Sequence, residues 1–242
     1  MANLKIENMY MKKVILGFLI LTISQLIMAQ TVYNPNVAIK PISTLSVYKV
    51  EMLENSTAIT FRIGNNPQLD AFSLKSKDII LRKVSDTMDL PLLKSENVKF
   101  FPDKHVFTYK DEIYEFTLHF GGLIQPVKYI DVLEKTPSRD FYVQGIILNE
   151  DLNTEITRGF DAYKKGDTMG AVDHFKNFVE MDLYFEYGFA YFFILNILAN
   201  MNEWEEAQKW YSQFKNKFFY DKELHINNLQ KMGIIQRLEE GK

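Results

Sequence analysis

The chain has 242 residues, of which 47% are hydrophobic and 24% are charged, so it can form one large domain or two modest ones with ordinary cores. Its formal net charge is −3, and residues 1–29 contribute +2 through Lys5, Lys12, Lys13 and Glu7, which leaves −5 for the rest. This balance argues against nucleic-acid binding, because affinity for phosphates depends on clustered Lys and Arg side chains. The absence of cysteine excludes disulfides, thiolate metal sites, a Cys nucleophile and a lipid-modified cysteine.

The N-terminal residues have the pattern of an export signal. Lys12 and Lys13 precede an apolar stretch over residues 14–28, and the small residue Ala29 follows. This order is typical of a secretory signal peptide, whereas a membrane-spanning helix needs about 20 apolar residues. We predict a signal peptide over residues 1–29, with an uncleaved anchor as the alternative. The mature chain would have no transmembrane span and would lie in the periplasm, at the outer membrane or on the surface of a Gram-negative cell.

From Ser43 to about Asn149 the apolar residues recur with a period of two, which is typical of strands with one buried face. The clearest case is the run Tyr114, Phe116, Leu118 and Phe120. Shorter runs of the same kind are Tyr48–Val50–Met52, Ile59–Phe61–Ile63 and Phe141–Val143–Ile147. Gly145 lies inside the last run and predicts a β-bulge. Short strands separated by Gly, Asn and Pro turns favour an antiparallel β-sandwich of immunoglobulin-like type over residues 30–149.

After Leu148 the apolar period changes to 3.6, which predicts amphipathic helices. The segment 186–200 is apolar nearly all round, as expected of a helix enclosed by its neighbours. Two further stripes are expected to face inward, and they consist of Trp204, Ala207, Tyr211, Phe214 and Phe218 in one helix and Leu224, Leu229, Met232, Ile235 and Leu238 in the next.

The helical half resembles the tetratricopeptide repeat. Gly159, Gly166, Ala171 and Phe175 fall at that family's small-residue, turn and packing positions, and the next segment has equivalent residues, namely Trp204, Ala207, Tyr211 and Phe214. The resemblance implies stacked helical hairpins over residues 150–242. The predicted fold class is therefore α+β with two domains, a β-sandwich followed by a short tetratricopeptide-like stack.

Two hairpins and a final helix are too few to bury their own apolar faces, since about three repeats are usually needed. The remaining burial must come from the sandwich, from a second copy of the chain or from another protein. The run 184–193 carries seven aromatic residues in ten, which form either core or an exposed interface. The candidate partner-binding residues are Tyr184, Phe185, Tyr187, Phe189, Trp210, Phe219 and Tyr220.

The sequence has no nucleophile elbow, phosphate-binding Gly-rich loop or H-E-x-x-H motif, so we predict no catalytic residues, no metal and no cofactor. Asp103 and His105 are two apart and could share a face, but a metal site needs three or four converging ligands. The leading hypothesis is an exported, non-catalytic interaction protein that binds an envelope protein, or a second copy of itself, through its helical hairpins. The alternatives are a glycan-binding sandwich, with Tyr109 or Tyr142 as stacking platform, and a hydrolase whose site has no recognisable motif.

Overall fold

The computed structural model describes residues 30–66, 69–84, 88–136, 141–183 and 185–240, and it has a strand-rich half followed by helices. Nine strands form one sheet, and two more form a small ladder. The strands of the large sheet are β1 (Gln30–Tyr33), β2 (Val37–Ile39), β3 (Leu45–Met52), β4 (Ser56–Gly64), β6 (Ile79–Lys83), β7 (Asp89–Glu96), β9 (Ile113–Gly121), β10 (Tyr129–Glu134) and β11 (Tyr142–Ile147). The small ladder pairs β5 (Ala71–Phe72) with β8 (His105–Val106).

The large sheet is antiparallel and curled into a half-barrel. Its strand order is β1-β3-β4-β9-β7-β6-β10-β11-β2, so β1 and β2 lie at opposite edges. Residues 34–36 alone connect these two strands, and a connection that short spans only about 14 Å. The two edges must therefore lie close together, which requires the sheet to curl.

Aromatic residues from distant strands meet inside the curl. Phe61 of β4 stacks on Phe116 of β9 with ring centroids 5.2 Å apart, and it also contacts Phe141, just before β11, at 5.7 Å. In strand order β4 and β11 are separated by four other strands. Their contact is possible because the curl turns both inner faces toward one shared core.

The strand periodicity was predicted correctly for most runs, with one correction in β3. Val47, Val50 and Met52 are buried, but Tyr48 points outward, where the guanidinium carbon of Arg62 lies 3.2 Å from its ring centroid. The pairing of β3 with β4 shifts between Val47 and Lys49. A one-residue shift in pairing moves the side chains that follow it to the other face of a strand. Val47 and Val50 are therefore both buried, although they are three residues apart, and Tyr48 points outward.

We predicted two facing sheets of an immunoglobulin-like sandwich, and the observed arrangement differs from that prediction. The strands form one continuous sheet in which β3 pairs directly with β4 and β4 with β9. Closure comes from the curl of this sheet, so the immunoglobulin-like type is not confirmed. The antiparallel β half and the core within it agree with the sequence pattern.

Two residues, Leu148 and Asn149, separate β11 from the helical half. Its helices are α1 (Glu150–Lys164), α2 (Thr168–Met181), α3 (Phe189–Asn200), α4 (Trp204–Asn216), α5 (Lys222–Lys231) and α6 (Ile234–Glu239). Short turns join α1 to α2 and α3 to α4, and each of these consecutive helices packs against the next. At the first turn, Asp167 caps α2 by accepting a hydrogen bond from the backbone N–H of Gly170 at 3.0 Å.

The small residues of the helical half let the helices approach closely. A Cβ atom added at Gly159 of α1 would lie 2.7 Å from the ring of Phe175 in α2, so only glycine fits beneath that ring. Ala171 and Ala207 are fully buried in the same way. These contacts agree with the packing roles that the sequence indicates for the three positions.

Three residues predicted to face inward are exposed: Phe218, Leu224 and Met232. Helix α4 ends at Asn216, and its C-cap Lys217 has extended backbone angles, φ −96° and ψ 153°. The helical period therefore stops before Phe218, and the apolar stripe cannot continue to that residue. In α5 the buried face is formed by His225 and Leu229, which turns Leu224 to the outside.

Candidate functional site

Phe185 and Tyr187, in the loop between α2 and α3, are buried where the helices meet the sheet. Phe185 packs between Tyr129 of β10 and Phe178 of α2, with centroid distances of 4.5 and 5.2 Å. Tyr187 and Phe189 contact Phe185 and are also buried. The sheet thus supplies burial that the two hairpins lack.

Two tyrosines of this junction donate hydrogen bonds to buried carboxylates. The hydroxyl of Tyr187 lies 2.9 and 3.1 Å from the two carboxylate oxygens of Asp131. The hydroxyl of Tyr129 donates to Asp182 at 2.5 Å. Burial raises the pKa of both tyrosines far above its usual value, so both remain protonated donors at neutral pH. In the first bond the donor is on the helical side, and in the second the donor is on the sheet. The two bonds hold the sheet and the helices together.

Asp131 also fixes a bulge in β11, as predicted at Gly145. Its carboxylate accepts the backbone N–H of Gly145 at 2.7 Å, and the pairing of β10 with β11 shifts at this point. Gly145 has φ +65°, and a Cβ added there would lie 2.7 Å from Ala38 and 2.9 Å from the ring of Tyr187. Burial raises the pKa of Asp131. Because protein donors occupy this carboxylate, we assign it a structural role.

Two more of the predicted residues, Trp210 and Phe219, lie in the helical core. Trp210 donates its indole N–H to Glu206 at 3.1 Å and packs on Tyr191. Phe219 stacks on Phe214 with centroids 5.5 Å apart and also contacts Tyr191. Both rings therefore contribute to stability within the chain.

The predicted partner-binding residues divide into a buried group and one exposed residue. Buried are Phe185, Tyr187, Phe189, Trp210 and Phe219. Tyr184 lies outside the described residues, and Tyr220 is exposed. The burial of these five residues favours the alternative in which the aromatic run forms core. Their role in partner binding stays a prediction. Within the predicted set and the described residues, Tyr220 alone offers an exposed ring to a partner.

Tyr220 borders a groove of about 900 Å³ that opens between the sheet and the start of α5. One wall is the face of the sheet that turns toward the helices. The apolar and aromatic residues of that wall are Ile39, Ile80, Leu133 and Tyr142. The opposite wall contains Tyr220, Asp221 and Leu224. The volume lies within the range of about 300–1,000 Å³ that is typical of binding sites.

Two exposed apolar residues, Tyr220 and Leu224, line the groove, and the exposed Phe218 lies beside Tyr220; we name these three residues the apolar lip. Their exposed fractions are 72%, 58% and 51%. The rings of Phe218 and Tyr220 contact each other with centroids 5.3 Å apart. An exposed apolar cluster beside a concave surface is typical of an interaction site. Phe218 and Leu224 are not among the predicted binding residues. For Phe218 a signal exists, because a short loop cannot bury three consecutive aromatic residues at 218–220.

The groove also presents two cations that share one carboxylate. Arg82 makes two bonds to Asp89, from Nε at 2.8 Å and from a terminal nitrogen at 3.1 Å. Nζ of Lys135 lies 3.3 Å from the same carboxylate. The hydrogen bond from Arg82 lowers the pKa of Asp89, and Lys135 adds to the effect, so Asp89 stays ionised.

The Asp221 carboxylate at the groove wall is engaged inside the protein. It accepts the backbone N–H of Gly188 at 2.6 Å and lies 2.6 Å from Nε2 of His225. An Asp–His pair also occurs in hydrolases, where the free imidazole nitrogen must reach the reacting group. Here Nδ1 of His225 is buried and the ring stacks on Phe192. This geometry fits a structural link between the starts of α3 and α5.

The remaining sequence candidates are not brought together. His105 pairs with Glu112 at 2.8 Å and stacks on Tyr114, while Asp103 is exposed. In the described part of the chain, no group of three or more His, Asp or Glu side chains is placed to hold a metal ion. Of the two proposed glycan platforms, Tyr109 is exposed outside the groove and Tyr142 lies within it.

Comparison with known proteins gives no family: no family model, no curated protein and no solved structure matches the chain. Among the helices of the described ranges, none has the length and hydropathy that crossing a bilayer requires. The groove and the apolar lip are therefore the basis on which a function can be argued.

Proposed function

We propose that this chain is an exported, non-catalytic binding protein of a Gram-negative envelope. It holds a segment of a partner protein in the groove between the half-barrel and the tetratricopeptide-like hairpins. The observation that carries the proposal is the apolar lip, because its exposed Tyr220 and Leu224 line a concave surface of suitable size. Export is supported by the basic and apolar pattern of residues 1–29, which lie outside the described residues.

The tetratricopeptide-like character of the helices is part of this proposal. It is supported by the close contact of Gly159 with Phe175 and by the buried Ala171 and Ala207. Proteins built from such hairpins commonly bind peptide segments on surfaces formed between elements. In this chain the sheet packs on the loop between α2 and α3, where Tyr129 contacts Phe185, and this supports a binding surface at the joint between the two halves.

A glycan ligand is the second candidate. Tyr142 and Tyr220 line the same groove, and tyrosine rings can stack on sugar rings while their hydroxyls bond to sugar hydroxyls. Soluble glycans that raise the melting temperature of the chain, with the effect lost in Tyr142→Ala, would support this alternative.

Photo-crosslinking in cells tests the proposal. A photoreactive phenylalanine analogue replaces Tyr220 in one strain and Tyr109, an exposed residue outside the groove, in a control strain. We expect a discrete crosslinked protein at position 220 that the control lacks. Equal crosslinking at both positions, or none at position 220, would argue against partner binding in the groove.

A further inference from the structure

The charged groups that are accessible in the groove are mainly cations. The side chains of Arg82 and Lys135 are 41% and 48% exposed, and they share the less exposed Asp89. Glu134, which also borders the groove, is almost fully buried, and one of its oxygens accepts the backbone N–H of Ser76 at 2.6 Å. A molecule bound in the groove can therefore reach the N–H donors of Arg82 and Lys135 more easily than the carboxylate of Glu134.

The nearby acidic residues are engaged within the protein, and Glu186 forms a hydrogen bond with the hydroxyl of Tyr220. Asp131 and Asp221 are buried and accept bonds from Gly145 and Gly188, as described above. The two bonds from Arg82 to Asp89 use only some of the N–H donors of its guanidinium. A carboxylate from outside can thus bind beside Asp89 and receive donors from Arg82 and Lys135.

We infer that the occupant of the groove is an acidic, apolar segment of the partner protein, whose carboxylate binds Lys135 and Arg82 while a neighbouring apolar side chain packs on Tyr220 and Leu224. The inference rests on the proposed function and specifies its partner.

Both parts of such a segment are needed. An exposed ion pair contributes little to affinity, so a free small carboxylate would bind weakly. Burial of an apolar side chain against the apolar lip contributes more, because it removes apolar surface from water. The charge then selects which apolar segment binds, because a basic segment would meet Arg82 and Lys135 with like charge.

Peptide display on the purified chain tests this inference. A random library is selected for binding to the immobilised unmodified protein, and the recovered peptides are measured against Tyr220→Ala, Lys135→Glu and two controls. The controls, Tyr109→Ala and Lys104→Glu, change exposed residues of the same type outside the groove.

We expect the recovered peptides to combine Asp or Glu with aromatic or aliphatic residues. Lys135→Glu should weaken their binding about tenfold, Lys135→Gln should have an intermediate effect, and Lys104→Glu should change it less than about twofold. Binding should weaken as salt is raised from about 50 to 500 mM, since the ion pair is exposed.

Two different failures are distinguishable. Peptides that require Tyr220 but show no acidic enrichment, or are unaffected by Lys135→Glu, would overturn the acidic segment and leave the proposed function standing. Recovery of no peptide that depends on Tyr220 would overturn the proposed function itself.

Discussion

The hydroxyl of Tyr187, in the loop before α3, lies 2.9 Å from Oδ1 of Asp131 in β10, and this contact joins the helical half to the sheet. The same carboxylate holds the bulge at Gly145, so one buried group fixes both sides of the junction. The groove opens beside this junction, and Gln144 of β11 lines it together with Tyr220 and Asp221. Changes at the junction should therefore affect stability, and changes at the apolar lip should affect binding.

Replacing Tyr187 by Phe removes one donor to Asp131 while keeping the ring. We expect a loss of about 1–3 kcal/mol in the free energy of unfolding, because the buried carboxylate then loses one of its hydrogen-bond donors. Urea unfolding followed by circular dichroism measures this value. The matched control is Tyr109→Phe at an exposed position, and a loss as large in that control would show that the bond to Asp131 is not the cause.

Replacing Gly145 by Ala should destabilise the chain by about 2–4 kcal/mol, since the residue has a left-handed backbone and the new Cβ would press on Ala38 and Tyr187. Gly166 provides the control. It has φ +82°, but an added Cβ would meet no atom within 4 Å. Gly166→Ala should cost only about 1 kcal/mol. Equal losses for the two variants would contradict the close approach at Gly145.

The neighbours Phe219 and Tyr220 should behave oppositely when each is truncated to Ala. Phe219 is buried against Phe214, so Phe219→Ala should lower the free energy of unfolding by about 3–5 kcal/mol. Tyr220 is exposed, and Tyr220→Ala should change it by no more than about 1 kcal/mol while abolishing partner binding. A strongly destabilised Tyr220→Ala would mean that its ring belongs to the core.

Glu206 links two hairpins and should make stability depend on pH. Hydrogen bonds from Lys176 of α2, then from Lys209 and Trp210, lower the pKa of Glu206 to about 2. The folded pKa lies below the unfolded value, so the stabilisation is present above about pH 4.5 and is lost as the pH falls toward 2. Glu206→Gln should remove this part of the acid destabilisation. Identical pH profiles for the two proteins would contradict the assignment.

Cleavage of the export signal is tested by the mass of the protein isolated from the cell envelope. We expect the mature chain to begin near Gln30, because Ala29 provides the small residue before the cut. Replacing Lys12 and Lys13 by Glu should leave the full-length chain in the cytoplasm. An unmodified protein that keeps residues 1–29 in the envelope would favour the uncleaved anchor instead.

Several parts of this fold follow from local sequence patterns. Alternating apolar residues predicted β4 and β9 because a strand places every second side chain on one face. Gly145 predicted the bulge because glycine adopts a left-handed backbone without strain. Apolar residues over most of 186–200 predicted an enclosed helix, and α3 is buried on nearly every side. Each of these signals is local, because it depends only on residues close together in the sequence.

The sequence by itself thus determined strands β3, β4, β9 and β11, the helical half and the change of period after Leu148. The tertiary structure decided how the sheet curls, which side of the aromatic run is covered, and that Phe218, Tyr220 and Leu224 remain exposed. Periodicity indicates which side chains are buried, but it does not identify the residues that cover them. Those residues come from distant parts of the chain, as Tyr129 does for Phe185. Arg82, Lys135 and Tyr220 converge on one groove for the same reason, since only folding brings β6, β10 and the start of α5 together.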